Sequence, residues 1–241
     1  MTQVRKNNKV DAILWDFDGT LADSAAKNIA ISKKILAHVA PRLTGDKLPH
    51  CLRNSTDYHA ANHDARHWRE LYRIHFGMTD DEIKTAGPLW NTYQALDDTP
   101  VALFEGVHEA VSSLSRYPQG ICSANSTGNI TQVLNQNGIA ASFQSVIGYE
   151  NLPLHEQKPA AQGGVKCLQE IFGHTRNKTI VYVGDHIADV LFARDLKQRL
   201  EPSNSVISAA VTYSGAHPEH WREQPDEVFA SPSDLLAWIH R

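Results

Sequence analysis

The segment LWDFDGTLADS, Leu14 to Ser24, ends an apolar run with two carboxylates two residues apart and then turns at once through Gly19 and Thr20. The run before it, VDAILWDF at 10–17, has the length and composition of a buried strand. Two acids at such a strand end repel each other unless positive charge lies between them. Asp16 and Asp18 therefore mark either a half-solvated turn or a place for a divalent cation.

Four more strand-length apolar runs follow: QGICSAN at 119–125, FQSVIGY at 143–149, TIVYVGD at 179–185 and SVISAAVTY at 205–213. Helical patterns alternate with them, GVHEAVSSLSRY from 106, GNITQVLNQNG from 128, PAAQGGVKCLQEIFG from 159 and ADVLFARDLKQRL from 188. Such alternation predicts an α/β chain, a Rossmann-like doubly wound parallel sheet with helices on both faces. Between the first two runs lie roughly a hundred residues without a convincing strand, far more than a crossover needs. Their patterns are helical: SAAKNIAISKKILAHVA from 24, STDYHAANHDARHWRELYRIHFG from 55 and TDDEIKTAGPLWNTYQAL from 79, each beginning at or after a Ser, Thr or Asp able to cap it. The expectation is an all-helical cap domain at 23–104, inserted into a core formed by 1–22 and 105–241, with crossings near Asp23 and Phe104.

Composition narrows the function classes. The chain has 241 residues, of which 41% are hydrophobic, enough for a packed core with an insert. Lys plus Arg number 23 against 27 Asp plus Glu, for a net charge of -4, and beyond the modest VRKNNK at 4–9 there is no long basic stretch. That balance argues against nucleic acid as a partner. Without a secretory signal or about 18 uninterrupted apolar residues, no membrane association and a cytoplasmic location are expected. Cys51, Cys122 and Cys167 are odd in number and widely spaced, which fits free thiols in a reducing compartment rather than disulfides or a zinc site. The Asn-x-Ser/Thr triplets at Asn54, Asn125, Asn129 and Asn177 are read as chance composition. No Walker loop, Gly-x-Gly-x-x-Gly or nucleophile elbow is present.

In an open parallel sheet, ligands bind beyond the carboxyl ends of the strands. There this sequence places Asp16 and Asp18 after the first strand, Ser123 after the second, and Asp185 and Asp189 of GDHIAD after the fourth. Lys158 precedes Pro159 between the third and fourth, where proline suits the first turn of a helix. Four acids, a hydroxyl and an ammonium at one point call for a hard cation, and Mg2+ takes oxygen ligands while leaving room for a phosphate. The Ser123 hydroxyl and free amides of the 16–20 loop would donate to phosphoryl oxygens. Taken singly, Ser123 reads equally as a cap for the helix from Gly128, Lys158 as a surface charge, and Asp189 as an acid favoured at a helix start.

Taken in order along the chain, these residues resemble the haloacid dehalogenase superfamily. Its four signatures appear as Asp16-Phe17-Asp18-Gly19-Thr20, Ser123 after an apolar strand, Lys158-Pro159, and Gly184-Asp185 with Asp189. The resemblance implies that Asp16 is a nucleophile that forms an aspartyl-phosphate, and that Asp18 protonates the leaving oxygen and then deprotonates water. It implies Mg2+ held by the Asp16 carboxylate, the Asp18 main-chain carbonyl and Asp185, with Asp189 steadying them. Phosphate binding falls to Ser123, Ala124, Asn125, Gly19, Thr20 and Lys158. An acid at position 18 favours phosphate esters, since dehalogenating relatives lack one there and phosphonate-cleaving relatives carry a small residue. The insert looks like the cap of the phosphoglycolate phosphatase and beta-phosphoglucomutase branch, and ALFEGVHEAVSSL from 102 and AAVTYSG from 209 are similar to segments of that branch. The implied activity is a Mg2+-dependent phosphatase for a small phosphorylated metabolite, phosphoglycolate-like or a sugar phosphate, working as a monomer or homodimer. A phosphosugar mutase and a catalytically idle binding protein are the alternatives.

Within the insert, His59, His63 and His67 recur every fourth residue and drift only about 40° per step on a helix. Such a stripe could hold a transition metal or form an anion-binding face when protonated, but Asp64 rather than Glu follows His63, so the zinc-protease pattern is absent. The stripe reads as the ordinary solvated face of a cap helix. Arg53, Arg66, Arg69 and His75 are candidate substrate contacts.

Overall fold

A computed structural model describes residues 9–240. The basic segment at 4–9 lies, except for Lys9, outside them. Strand β1 (Ala12–Trp15) is buried at all four positions and leads through a turn into β2 (Ala22–Asp23). The chain then forms helices α1 (Ala25–Val39), α2 (Ser55–Asp64), α3 (Trp68–Glu70) and α4 (Asp80–Leu96). It returns through β3 (Ala102–Leu103), which pairs antiparallel with β2. The remainder alternates: α5 (Val107–Ser113), β4 (Gln119–Cys122), α6 (Thr127–Gln136), β5 (Ser145–Ile147), α7 (Gln162–Phe172), β6 (Thr179–Gly184), α8 (Ile187–Arg199), β7 (Ser205–Val211), β8 (Glu227–Phe229) and α9 (Pro232–Ile239). The five apolar runs appear as β1, β4, β5, β6 and β7. The two-residue strands and β8, whose Val228 is half exposed, are too short to show a period in sequence.

The main sheet has the order β5-β4-β1-β6-β7-β8, and every pairing in it is parallel. Running outward from β1 in both directions, this is the doubly wound arrangement, and β1 ends in the crevice where the strand order reverses. The period of two along β1 serves both faces. Ile13 and Trp15 join a cluster with Val111, Leu114, Ile130 and Leu235, whereas Ala12 and Leu14 join one with Leu168, Phe192 and Leu196. The polar atoms among them are satisfied: Trp15 Nε1 donates to Gln119 Oε1, and Gln119 Nε2 to the Val111 carbonyl, both at 3.0 Å. A third cluster draws only on residues between Ala25 and Ala86, so the insert packs around its own core.

Helix starts depart from expectation where a better partner is near. Thr79 caps α4, with Glu82 completing a reciprocal box. Asn54 rather than Ser55 caps α2, accepting from Asp57 N. Ser24 makes no cap bond, and its hydroxyl accepts from Asn28 Nδ2 at 3.2 Å. The single helix expected from 55 breaks after Asp64. Ala65 and His67 are extended, His67 Nδ1 accepts from Glu70 N to open α3, and Leu71–His75 continue as a wider π-type turn. Among the described residues no helix is long and apolar enough to cross a membrane.

Two outcomes test this architecture. Gly120 in β4 lies under α7, and a Cβ there would fall 2.3 Å from Cys167 Sγ and 3.2 Å from Leu14 Cδ2. Gly120→Val is expected to cost on the order of 1–3 kcal/mol in denaturant unfolding, and unaltered stability would contradict this packing. At the end of α4, Asp97 accepts from Lys34 Nζ at 2.7 Å and from Thr99 N at 3.0 Å, tying the end of the insert to α1. Burial pushes its carboxyl up, but the donors outweigh burial and hold it below the ordinary 3.8. A depressed carboxyl stabilises the fold above its unfolded value, and this contribution is lost as pH falls through the folded value. Asp97→Asn should therefore lower Tm at neutral pH, and the difference from the parent should close as pH falls below 3.8.

Candidate active site

The strand-end turn is built by its backbone before its side chains act. The Phe17 carbonyl accepts from the amides of Thr20, Leu21 and Ala22, and Asp16 N donates to the Val183 carbonyl at 2.8 Å. Gly19 has φ +80°, and a Cβ there would sit 2.1 Å from Asp185 Oδ2, so only glycine lets the turn and the β6 loop approach this closely. Thr20 Oγ1 donates to Asp185 Oδ1 at 3.0 Å, and the Thr20 carbonyl accepts from the Tyr213 hydroxyl.

Lys158 lies at the centre. Its Nζ donates to Asp16 Oδ1 at 2.7 Å and to Asp189 Oδ1, with all three side chains at most 10% exposed. Burial, with Asp189 and Asp185 adding repulsion, pushes the Asp16 carboxyl up, and Lys158 pulls against it. Burial opposes the Lys158 charge, yet Asp16 and Asp189 outweigh it and hold the ammonium well above its usual value. Asp18 is also raised, chiefly by burial, with the nearby Ser24 hydroxyl and Asn125 amide pulling the other way. Asn125 Nδ2 donates to Asp18 Oδ2 at 2.8 Å, while Asp18 Oδ1 is buried without a hydrogen-bond partner. Asp185 goes the other way. Burial acts to raise it, but donors led by His63 outweigh burial and hold its carboxyl down.

The residues fit a hard divalent cation. Asp16, Asp185 and Asp189 each offer an oxygen, all within 4.8 Å of one another, and one ammonium leaves this buried cluster net negative. The donors are all oxygen, the set that such a cation takes.

The structure thus brings Asp16, Asp18, Lys158, Asp185 and Asp189 together, with Gly19 and Thr20 in the turn. Ser123 is buried at the end of β4, where its Oγ accepts from Asn125 N. Its reading as a helix cap is corrected: Ser126 caps α6, accepting from Asn129 N. Ala124 is exposed beside it. Pro159 does not open a helix: α7 begins three residues later, at Gln162. Asp189 combines two expectations, pairing with Lys158 while its Oδ2 accepts from His186 N at the start of α8.

The histidine stripe is the main correction. His67 leaves it at the helix break, and His63 is not solvated: its side chain is 8% exposed and Nε2 lies 2.7 Å from Asp185 Oδ2. His59 Nε2 lies 3.3 Å from Asp23 Oδ1, at the crossing into the insert. The candidate substrate contacts are engaged elsewhere: Arg66 with Glu70, Arg69 over the Trp68 ring and His75 with Asp64, while Arg53 is exposed. Sequence reasoning also passes over Ser214, whose Oγ donates to Asp185 Oδ2, and Gln94, whose Nε2 donates from the end of α4 to Asn125 Oδ1 at 3.1 Å. The four-residue spacing of His59 and His63 is visible in sequence, but not the surface that it faces. All three cysteines are buried and free.

A doubly wound parallel sheet with buried carboxylates around one ammonium at its switch point, beneath a helical insert, defines a carboxylate-centred α/β enzyme. The family model of haloacid dehalogenase-like hydrolases matches residues 13–199, from β1 to the end of α8, and the chain belongs to that family. Solved structures share the fold over nearly the whole chain. A haloacid dehalogenase-like hydrolase from Streptococcus pneumoniae is 20% identical with a TM-score of 0.71, covering 96% of this chain and 99% of its own. A predicted phosphoglycolate phosphatase from Haemophilus somnus is 21% identical with a TM-score of 0.68, covering 97% and 99%. A subfamily IA hydrolase from Geobacter sulfurreducens is 20% identical with a TM-score of 0.62, covering 96% and 97%. No curated protein matches the chain in sequence.

The charge balance has a direct test. Lys158→Met leaves the buried carboxylates without their ammonium, and the loss of a buried partner costs about 3–5 kcal/mol. Unfolding in the presence of a chelator should show that loss, and excess Mg2+ should restore part of it. Equal stability of parent and variant in chelator would show that Lys158 does not hold the cluster together.

Proposed function

We propose that this hydrolase is a Mg2+-dependent phosphatase that cleaves a small phosphorylated metabolite through an aspartyl-phosphate on Asp16. The observation that carries the reading is the pair at the end of β1: a buried Asp16 held by Lys158, and two residues on a second buried acid, Asp18, with one carboxylate oxygen unpartnered. A nucleophile and a proton carrier on one turn are what two successive displacements at phosphorus require.

In this reading Asp16 attacks phosphorus. Burial pushes its carboxyl up, and the Lys158 ammonium pulls it back toward the ionised form that attacks. The same burial favours the protonated form of Asp18, which suits it to protonate the leaving oxygen and then to take a proton from water. Asn125 holds Asp18 by one oxygen, so the other is left for the transfer. Ser123 and the amides of the 16–20 turn bind phosphoryl oxygens. Asp16, the Asp18 carbonyl and Asp185 would hold Mg2+, which would supply charge neutralisation for the phosphoryl group. Of the described residues, 9–22 and 105–240 are read as the catalytic core, and 23–104 as the cap that closes over the site. A neighbour described as a predicted phosphoglycolate phosphatase supports a small phosphorylated acid as the first substrate to try.

A panel of phosphate monoesters with Mg2+ tests the reading. Asp16→Asn, nearly isosteric, should lose turnover by several orders of magnitude with its circular dichroism unchanged. With an aryl phosphate, whose leaving group needs no protonation, Asp18→Asn should retain phosphate on Asp16, visible by mass spectrometry after acid quench. Full turnover in Asp16→Asn would sink the mechanism.

A further inference from the structure

Helix α2 and the loop after β6 are joined by two hydrogen bonds that run in opposite directions. His63 Nε2 lies 2.7 Å from Asp185 Oδ2, and since an ionised carboxylate only accepts, the imidazole is the donor. His186 Nε2 lies 2.9 Å from the Ala65 carbonyl oxygen, so here the core ring donates to the insert's backbone. The two rings stack at 6.3 Å and 26°, and His59 extends the row at 6.1 Å and 21° from His63. His186 Nδ1 accepts from Ala188 N, whereas His63 Nδ1 is buried without a partner. A buried orphan nitrogen costs free energy, so a mere packing role is a poor explanation for a histidine at this position.

Asp185 accepts three donors: Thr20 Oγ1 on Oδ1, and Ser214 Oγ and His63 Nε2 on Oδ2. Thr20 and Ser214 belong to the sheet side, and His63 is the contribution of the insert. The cluster of potential ligand atoms within 4.8 Å of one another contains Asp16, Asp185 and Asp189 but not His63. The imidazole donates to one oxygen of Asp185 without itself belonging to that set of ligand atoms.

We infer that His63 is a positioning residue for the cation site: it reaches from the insert to orient Asp185, and with the His186–Ala65 bond it makes cap closure and cation binding reinforce each other. This rests on the proposed cation-binding role of Asp16 and Asp185. A ligating carboxylate needs a fixed direction, and a donor on one of its oxygens helps to supply one; removing such a partner typically weakens metal binding by about 10–100-fold. The stack of His59, His63 and His186 restrains rotation of the middle ring. If the closed insert strengthens cation binding, the cation must strengthen closure by the same factor. A His63 that merely blocked the site would give the opposite sign.

The test is calorimetric titration of Mg2+ and Mn2+ into the parent, His63→Ala and His63→Gln without substrate, with amide exchange of residues 55–65 followed in parallel. His63→Ala should bind either cation about 10–100-fold more weakly, and His63→Gln, whose amide also donates, should recover most of the loss. The cation should slow exchange at 55–65 in the parent and leave it unchanged in His63→Ala. Equal or tighter binding by His63→Ala, or no cation-dependent protection in the parent, overturns the inference, and the second readout stands even if the alanine variant fails to fold. A parent that binds the cations yet hydrolyses no phosphate ester would sink the phosphatase reading and leave this one intact.

Discussion

The ammonium of Lys158 between Asp16 and Asp189 is the interaction on which the rest of this structure depends. Buried carboxylates beside one another are tolerable only with positive charge among them, and a single lysine is not enough for three. The chain therefore holds a standing excess of negative charge at the carboxyl edge of its sheet. That excess is the physical reason for reading the edge as a cation and phosphate site rather than as a turn. It also separates the two acids of the opening segment. Asp16 is gripped by the lysine, whereas Asp18 is held through one oxygen by Asn125 and keeps the other free.

Everything around the ammonium serves to bring distant segments this close. β1 lies between β4 and β6, and its alternating side chains close the sheet against helices on both faces. Gly19 then lets the turn press against Asp185, with no Cβ to hold the two loops apart. Donors from separate segments, Thr20 and Ser214, converge on the same carboxylate. The site is thus over-determined by the fold, as preorganised electrostatics requires.

The helical insert has its own apolar cluster, yet it is tied to the core by polar contacts at named points. Gln94 reaches Asn125, which in turn holds Asp18, and His63 reaches Asp185. The insert therefore reaches the proposed cation ligand through one hydrogen bond and the proposed proton carrier by way of Asn125. Contacts of this kind are directional and few, so they make the site sensitive to where the insert sits without fusing the two cores.

The sequence by itself determined five of the strands, the order of the motifs and the acids at the strand ends. Those features rest on local periodicity and on chemistry within a few residues, which a linear reading captures. Asp16, Asp18, Lys158, Asp185 and Asp189 were legible because strands of a parallel sheet deliver their carboxyl ends to one edge whatever the loops do. Tertiary structure alone decided what the insert presents to that edge. His63 and Asp185 are 122 residues apart, and nothing in a four-residue histidine spacing says which surface will face it. The helix break that removes His67 arises from the extended residues at 65 and 67 and the new cap that His67 itself provides, a local competition that periodicity does not register. Ser24 likewise leaves its expected capping role, its hydroxyl accepting from Asn28 Nδ2 instead.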